Sequence, residues 1–308
     1  MNLRAVNVPV TDLRREPSPH NQKYEKDPLQ ESQLLYGELV IVDEEKEGWS
    51  HVAAVEQQKY FSTGAWGAYP GWIKTSDLFS VKTSLEDAQK YHAVISTLLA
   101  NVYSGATLKS PVIQALSLGT RLKIVAREGD WLITSLADGS VGAIQSSQAT
   151  TIEEMQASSP KDKMNKMITL GQTLLGAPYL WGGRSAYLEG LSPLTSIDCS
   201  GFVNLLYRTV HGIDLPRDSH DQYLKCKKIE GHELDVGDLV FMASKAKPEQ
   251  MHHVMIYAGG GFLIEATAAS RSVRRIAVKD RFGELHHNVA AGSVVGECVV
   301  YYGAVQLP

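Results

Sequence analysis

A short pattern of residues occurs twice in the first half of this chain, and it limits the fold more than any other feature. Gly37, Leu39, Ile41, Val42 and Trp49 are echoed by Gly119, Arg121, Lys123, Ile124 and Trp131, and the closing triplet Gly71-Trp72-Ile73 by Gly142-Ala143-Ile144. β-Branched and aromatic runs broken by Gly and Pro surround both copies, as LLYGELVIVDEE, EGWSHVAAV and YPGWIKTSDL show for the first. Such a period predicts two copies of one small β module, over residues 1–82 and 83–152. The stretch 84–99, SLEDAQKYHAVISTLL, is charged early and apolar later, which suits a short helix or a strand start joining the copies. Trp49, Trp66 and Trp72 are expected to pack in or at the ends of these modules. Tyr69 precedes a Pro-Gly turn and is expected to be presented rather than packed.

A different pattern begins near residue 153. After the polar stretch TTIEEMQASSPKD, Met164, Met167, Ile168, Leu170 and Leu174 recur at helical spacing, and Gly176 and Pro178 stop that helix. Beyond the aromatic, glycine-rich PYLWGGRS, a second helix starts at DCSGFVNLLYR, with Asp198 in the capping position and Phe202, Val203, Leu205, Leu206 and Val210 on an apolar face. Past residue 211 the runs GDLVFMAS, HHVMIYAG, GFLIEATA, VRRIAV and ECVVYYGAV read as strands. Helices followed by an antiparallel sheet predict an α+β domain over residues 153–308.

Charge narrows the partners. A formal net charge of −4 gives no broad attraction to nucleic acid or an anionic membrane, and no apolar run reaches spanning length. The opening residues lack the apolar segment of a secretory leader, which predicts a cytoplasmic protein. Three cysteines with no CxxC pair suit a reducing compartment. Cys226, in KCKK, is expected at the surface, and Cys298, in ECVVYY, in a strand core. The ten histidines offer no metal-ligand spacing. His252-His253 and His286-His287 are adjacent pairs, and neighbours on a strand point to opposite faces, so neither metal nor cofactor is expected. His252 then belongs to the surface, His286 and His287 to a polar loop.

Cys199 is the candidate nucleophile. A thiol in the first turn of a helix faces unpaired N–H groups and the positive end of the helix dipole, surroundings that favour an anion. His253 opens a strand whose alternation places it on one face with Met255 and Tyr257. The tight Ala258–Gly261 turn can bring Glu265 to the same side, where its carboxylate would hold the other imidazole nitrogen.

DCSGF, the upstream PYLWGG, the downstream GDLVF and the HVMIY run, in this order, resemble the NlpC family of papain-like cell-wall peptidases over roughly residues 163–308. The resemblance implies a cysteine endopeptidase with Cys199 as nucleophile, His253 as base and Glu265 where the family usually has a histidine. Each early module is similar to a bacterial SH3-like domain. Two such modules ahead of this catalytic domain resemble the subgroup that cuts the γ-D-glutamyl bond to diaminopimelate or lysine in murein tri- or tetrapeptides with a free N-terminal L-alanine. By that resemblance Asp218 and Ser219 of the PRDS segment read the amine, and Tyr69 and Glu38 close the pocket. Asp198, Ser200, Tyr179 and Trp181 line the substrate site, with the Tyr179 hydroxyl a candidate oxyanion donor. The alternatives are an exported hydrolase acting on intact cell wall and an acyl transferase built on the same core.

Overall fold

The computed structural model describes residues 2–20, 26–189 and 193–307, and in it the repeat of sequence is a repeat of topology. The first sheet comprises β1 (Asn2–Val6), β2 (Val10–Arg14), β3 (Gln30–Leu35), β4 (Leu39–Lys46), β5 (Trp49–Tyr60), β6 (Trp66–Lys74) and β7 (Leu78–Ser80), ordered β3-β2-β6-β5-β4-β1-β7. After the short helix α1 (Leu85–Gln89) come β8 (Ala93–Ile95), β9 (Leu99–Tyr103), β10 (Val112–Ser117), β11 (Arg121–Glu128), β12 (Trp131–Ser135), β13 (Val141–Gln145) and β14 (Ala149–Thr151). Their order, β10-β9-β13-β12-β11-β8-β14, matches the first sheet strand for strand. The echoed Gly37 and Gly119 adopt φ of 78° and 82°, left-handed turns that cost glycine least.

The remaining chain forms α2 (Ile152–Ala157), α3 (Pro160–Thr173), α4 (Cys199–His211) and α5 (Ser219–Lys225). The sheet that follows contains β15 (Lys227–Ile229), β16 (Leu239–Ser244), β17 (Lys247–Gly259), β18 (Phe262–Thr267) and β19 (Ser272–Ala277), then, beyond helix α6 (Val278–Phe282), β20 (Val294–Val295) and β21 (Cys298–Ala304). Its order is β15-β21-β16-β17-β18-β19, with β20 on β21, and every ladder between the described strands of the protein is antiparallel. Helix starts follow their caps: Ser159 accepts from Asp162 N ahead of Pro160, and Asp198 accepts from Gly201 N at 2.7 Å. Gly212, in the left-handed region, closes α4.

Helix α4 differs from the one-sided amphipath its sequence predicts. Every residue from Cys199 to Val210 is buried. Phe202, Leu206 and Val203 join Val254, Ile256 and Ile264 of the sheet, while Val10 and Leu35 of the first β unit and Leu118 of the second enter the same core. The polar residues of α4 find partners inside the protein: Arg208 Nε donates to Gly119 O of the second β unit at 2.9 Å, and Asn204 Oδ1 accepts from Arg184 Nε of the PYLWGGRS loop at 2.7 Å. Two further expectations change. Cys226 is buried, 7% exposed, because Gly303 of β21 and Phe241 crowd the strand beside it, and burial pushes its thiol up to about 12. Tyr69 is packed, 2% exposed, in the apolar core of the first sheet, with its hydroxyl and one ring face reaching polar company.

Candidate active site

Three elements meet at Cys199. The α4 cap presents the thiol, β17 supplies His253 and β18 supplies Glu265. The β17–β18 ladder pairs Ile256 with Ile264 and Tyr257 with Leu263, closed by a turn whose Gly259, Gly260 and Gly261 all have positive φ. That register sets His253 and Glu265 diagonally on one face, with His253 Nε2 and Glu265 Oε2 2.5 Å apart. Cys199 is close enough to the imidazole to raise its pKa alongside Glu265. His253 is thus oriented by Glu265 and lies within electrostatic reach of Cys199, as a base beside a thiol requires.

The electrostatics favour an imidazolium beside a carboxylate. Burial opposes charge on His253, but hydrogen bonds to Cys199 and Glu265, and their charges, push the imidazole up to about 9. Burial likewise opposes charge on Glu265, which is 0% exposed; the His253 hydrogen bond and charge, then Arg281 and Arg274, outweigh it and hold the carboxyl down at about 2. Arg274 grips Glu265 Oε1 through Nε at 2.9 Å and a terminal nitrogen at 2.7 Å, and Arg281 Nε lies 3.7 Å away. Neither arginine was singled out in the sequence, although β19 pairs Arg274 directly opposite Glu265.

Asp198 and Ser200, expected to face substrate, are instead tied inward. Arg217 of the PRDS segment, 1% exposed, donates to Asp198 Oδ2 at 2.7 Å, to Asp198 Oδ1 at 3.1 Å and to Ser200 Oγ at 3.0 Å. It also reaches Ser32 Oγ at 2.7 Å, and Asp198 Oδ2 accepts from Gly182 N of the PYLWGG loop at 3.1 Å. One arginine therefore joins the first β unit to the residues on both sides of Cys199. The glycine of DCSG is dictated by contact: a Cβ on Gly201 would sit 2.2 Å from Gly183 O.

Beside Arg217, Asp218 caps α5 without a side-chain cap bond, and its half-exposed carboxylate turns to the first β unit. Tyr69 Oη lies 3.2 Å from Asp218 Oδ2 and 3.0 Å from Glu31 Oε2. Burial, then the Asp218 and Glu31 charges, drive the Tyr69 phenol upward, so it remains a donor. Lys59 Nζ completes the cluster, 3.1 Å from Asp218 Oδ2 and 4.0 Å from the centroid of the Tyr69 ring. Glu31 and Lys59 are additions to the sequence reading. Glu38 is a correction: 2% exposed, it pairs with Arg184 at 2.7 Å and Arg208 at 3.3 Å, so it offers nothing to a cleft. Glu31, on β3, is the acidic residue of this stretch that meets Tyr69.

Ser219 is buried and its hydroxyl donates to Met251 O at 3.4 Å. Tyr179 is half-buried, its phenol driven up by burial and then by the charges of Asp198 and Cys199, which puts the hydroxyl in the electrostatic neighbourhood of the thiol. Trp181 is 39% exposed, with Lys26 Nζ 4.3 Å from its ring. Among the described residues no cluster of His, Cys, Asp or Glu is arranged to hold a metal ion.

Comparison with known proteins agrees with this geometry. Residues 176–288 match the NlpC/P60 family. The chain is 28% identical over 246 residues, 80% of its length and 70% of the relative's, to a Bacillus cereus (strain ATCC 10987 / NRS 248) protein named gamma-D-glutamyl-L-lysine dipeptidyl-peptidase. A Bacillus subtilis (strain 168) protein of the same name is 29% identical over 258 residues, covering 82% of this chain and 78% of that one. A crystal structure of a NlpC/P60 family protein from Bacillus cereus ATCC 10987 superposes with a TM-score of 0.77 over 99% of this chain and 100% of that chain, at 23% identity, and shares the fold. A capped cysteine, a histidine and a carboxylate on a papain-like core, within the matched segment, make residues 176–288 an NlpC/P60 family cysteine peptidase domain.

Proposed function

We propose that this enzyme cleaves the γ-D-glutamyl bond to a diamino acid, diaminopimelate or lysine, in murein tri- and tetrapeptides whose L-alanine amine is free. The cluster of Tyr69, Glu31 and Asp218 carries the reading. A phenol and two carboxylates from separate elements converge beside Arg217, which itself clamps the residues flanking Cys199. An ammonium is the ligand such a cluster suits. The two Bacillus relatives are named for removing a dipeptide, an act that requires a site for a free amino terminus.

In this reading Cys199 and His253 react as thiolate and imidazolium. The thiolate attacks the γ-carbonyl carbon, a C–S bond forms, the C–N bond breaks, and His253 gives its proton to the departing amine. Water then adds to the thioester with His253 as base, releasing the dipeptide carboxylate and restoring the thiol. The Cys199 N–H, in the first turn of α4, and the Tyr179 hydroxyl stabilise the oxyanion. Glu265 holds the imidazole in orientation. The chain falls into two SH3-like domains, 1–82 and 83–152, and a catalytic domain, 153–308, with the first bounding the cleft.

The place of action is proposed to be the cytoplasm, where free murein peptides are recycled. Support comes from three cysteines that are all unpaired, as suits a reducing compartment. Incubation with free L-Ala-γ-D-Glu-diaminopimelate and, separately, with intact sacculi tests the reading. Cleavage of the tripeptide alone is expected, because a stem whose alanine is amide-linked to glycan lacks the ammonium. Equal cleavage of sacculi would favour an exported cell-wall hydrolase.

A further inference from the structure

The amine cluster already holds an ammonium, and it belongs to the protein. Lys59 Nζ sits 3.1 Å from Asp218 Oδ2 and 4.0 Å from the centroid of the Tyr69 ring, a carboxylate on one side and an aromatic face on the other. That is the environment in which an alkylammonium is recognised. From this coincidence, and resting on the function proposed above, we infer that Lys59 is a displaceable internal counter-ion, which competes with the substrate's amine for Asp218 and returns to release the dipeptide product.

The backbone around Lys59 is fixed while its side chain is free to leave. The β5–β6 ladder skips register between Ala54 and Gln58, and the hairpin beyond the bulge docks on the catalytic domain. Arg217 N donates to Gln58 O at 3.0 Å, Tyr60 N donates to Asp221 Oδ2 at 2.8 Å, and Lys225 Nζ stands 4.1 Å from the Trp66 ring. These contacts flank Lys59 and set its stem opposite Asp218. The side chains of Lys59 and Asp218 are 28% and 40% exposed, so the pair is wet and exchangeable. Glu31 has a separate partner in Arg15, at 2.5 Å. Each carboxylate that meets Tyr69 thus already has a cation, Arg15 on Glu31 and Lys59 on Asp218, and an incoming ammonium competes with Lys59 for Asp218.

The same exchange acts on the product. Hydrolysis leaves L-alanyl-D-glutamate, which keeps the very amine that the cluster binds, and a site without a competitor would retain it. Lys59 lowers affinity for substrate and product alike, favouring turnover over retention.

Steady-state kinetics of Lys59→Met and Lys59→Arg on L-Ala-γ-D-Glu-diaminopimelate, with L-Ala-D-Glu as inhibitor, test this. Lys59→Met is expected to lower both KM and the product Ki, each by about three-fold, the change that an exposed ion pair is worth. Lys59→Arg, which keeps the cation, is expected to leave both near wild type, and Lys59→Met in an Asp218→Asn background to change neither. A Lys59→Met enzyme with unchanged or raised KM and Ki overturns the inference while leaving the amine site standing. Wild-type enzyme that digests intact sacculi as readily as tripeptide overturns the amine site itself, and the inference with it.

Discussion

At the scale of single residues, the site is a chain of groups that runs from the Cys199 thiol through His253 and Glu265 to two arginines. Glu265 is ionised because Arg274 and Arg281 face it, and His253 stays protonated because Glu265 and Cys199 flank it. The pH dependence follows from the directions of these shifts. His253 is raised from 6.5 to about 9, so its contribution to stability is complete below 6.5 and is lost as pH rises through about 9. Glu265 is lowered from 4.5 to about 2, so its contribution is present above 4.5 and is lost as pH falls through about 2. The acid dissociation of the triad is expected as an alkaline limb near 9 in kcat/KM. Glu265→Gln removes the charge that raises His253, and the limb should move down by about one pH unit, measured in a pH series of kcat/KM. A limb that stays in place would exclude Glu265 from that role. Cys199→Ala should leave no detectable release of diaminopimelate, followed by mass spectrometry of the products. That Cys199, His253 and Glu265 come together was legible in the sequence because helix capping and strand alternation act over a few residues. The arginines were not, since they reach Glu265 from β19 and α6, although the Glu265–Arg274 register follows from the hairpin once β19 is paired.

At the scale of elements, the PRDS segment and the cysteine helix are one unit. Arg217 donates to Asp198 and Ser200 on α4 and to Ser32 on β3, while Gln222 of α5 donates to Ser200 O at 3.0 Å. Removing the arginine would leave Asp198, 7% exposed, without its cation. Arg217→Met is therefore expected to cost about 3–5 kcal/mol in denaturant unfolding, the cost of breaking a buried pair by deleting one partner. A loss below about 1 kcal/mol would mean that the clamp is a solvated surface pair instead. Segment by segment the sequence announces these elements through caps, β-branched runs and glycine turns. It does not announce that the polar residues of α4 face protein rather than water. Asn204 and Arg208 read as the solvent side of an amphipath, but Asn204 is enclosed by the PYLWGGRS loop of the catalytic part itself and Arg208 by the docked second β unit. The exchange of Glu38 for Glu31 has the same origin. Both are acidic residues close in the chain, and which one meets Tyr69 depends on where β2 and β3 lie against β6.

At the scale of the whole molecule, the β units and the catalytic part share a charged junction. Arg208 of α4 pairs with Glu56 of β5 at 2.8 Å and with Asp214 at 2.5 Å, and Arg121 of β11 reaches the same two carboxylates at 3.0 Å and 2.7 Å. Burial raises Glu56 and Asp214, but the arginines prevail and hold both low. Charges so enclosed couple the units, so the wild-type chain should unfold in a single calorimetric transition, and Arg208→Leu should divide it in two. A single unshifted transition in that variant would show that the apolar core alone joins them. The junction explains how Tyr69 comes to meet a segment 149 positions later in the chain: it holds the first β unit against the PRDS turn, where Tyr69 Oη lies 3.2 Å from Asp218 Oδ2, and in the proposed function this is the end of the site that reads the amine. The most direct test of that claim is the ratio of kcat/KM for L-Ala-γ-D-Glu-diaminopimelate to that for its N-acetylated form. The proposed amine site predicts a fall of about 100-fold or more on acetylation, since the acyl group removes the charge and adds bulk where Tyr69, Glu31 and Asp218 converge, and equal values would contradict it.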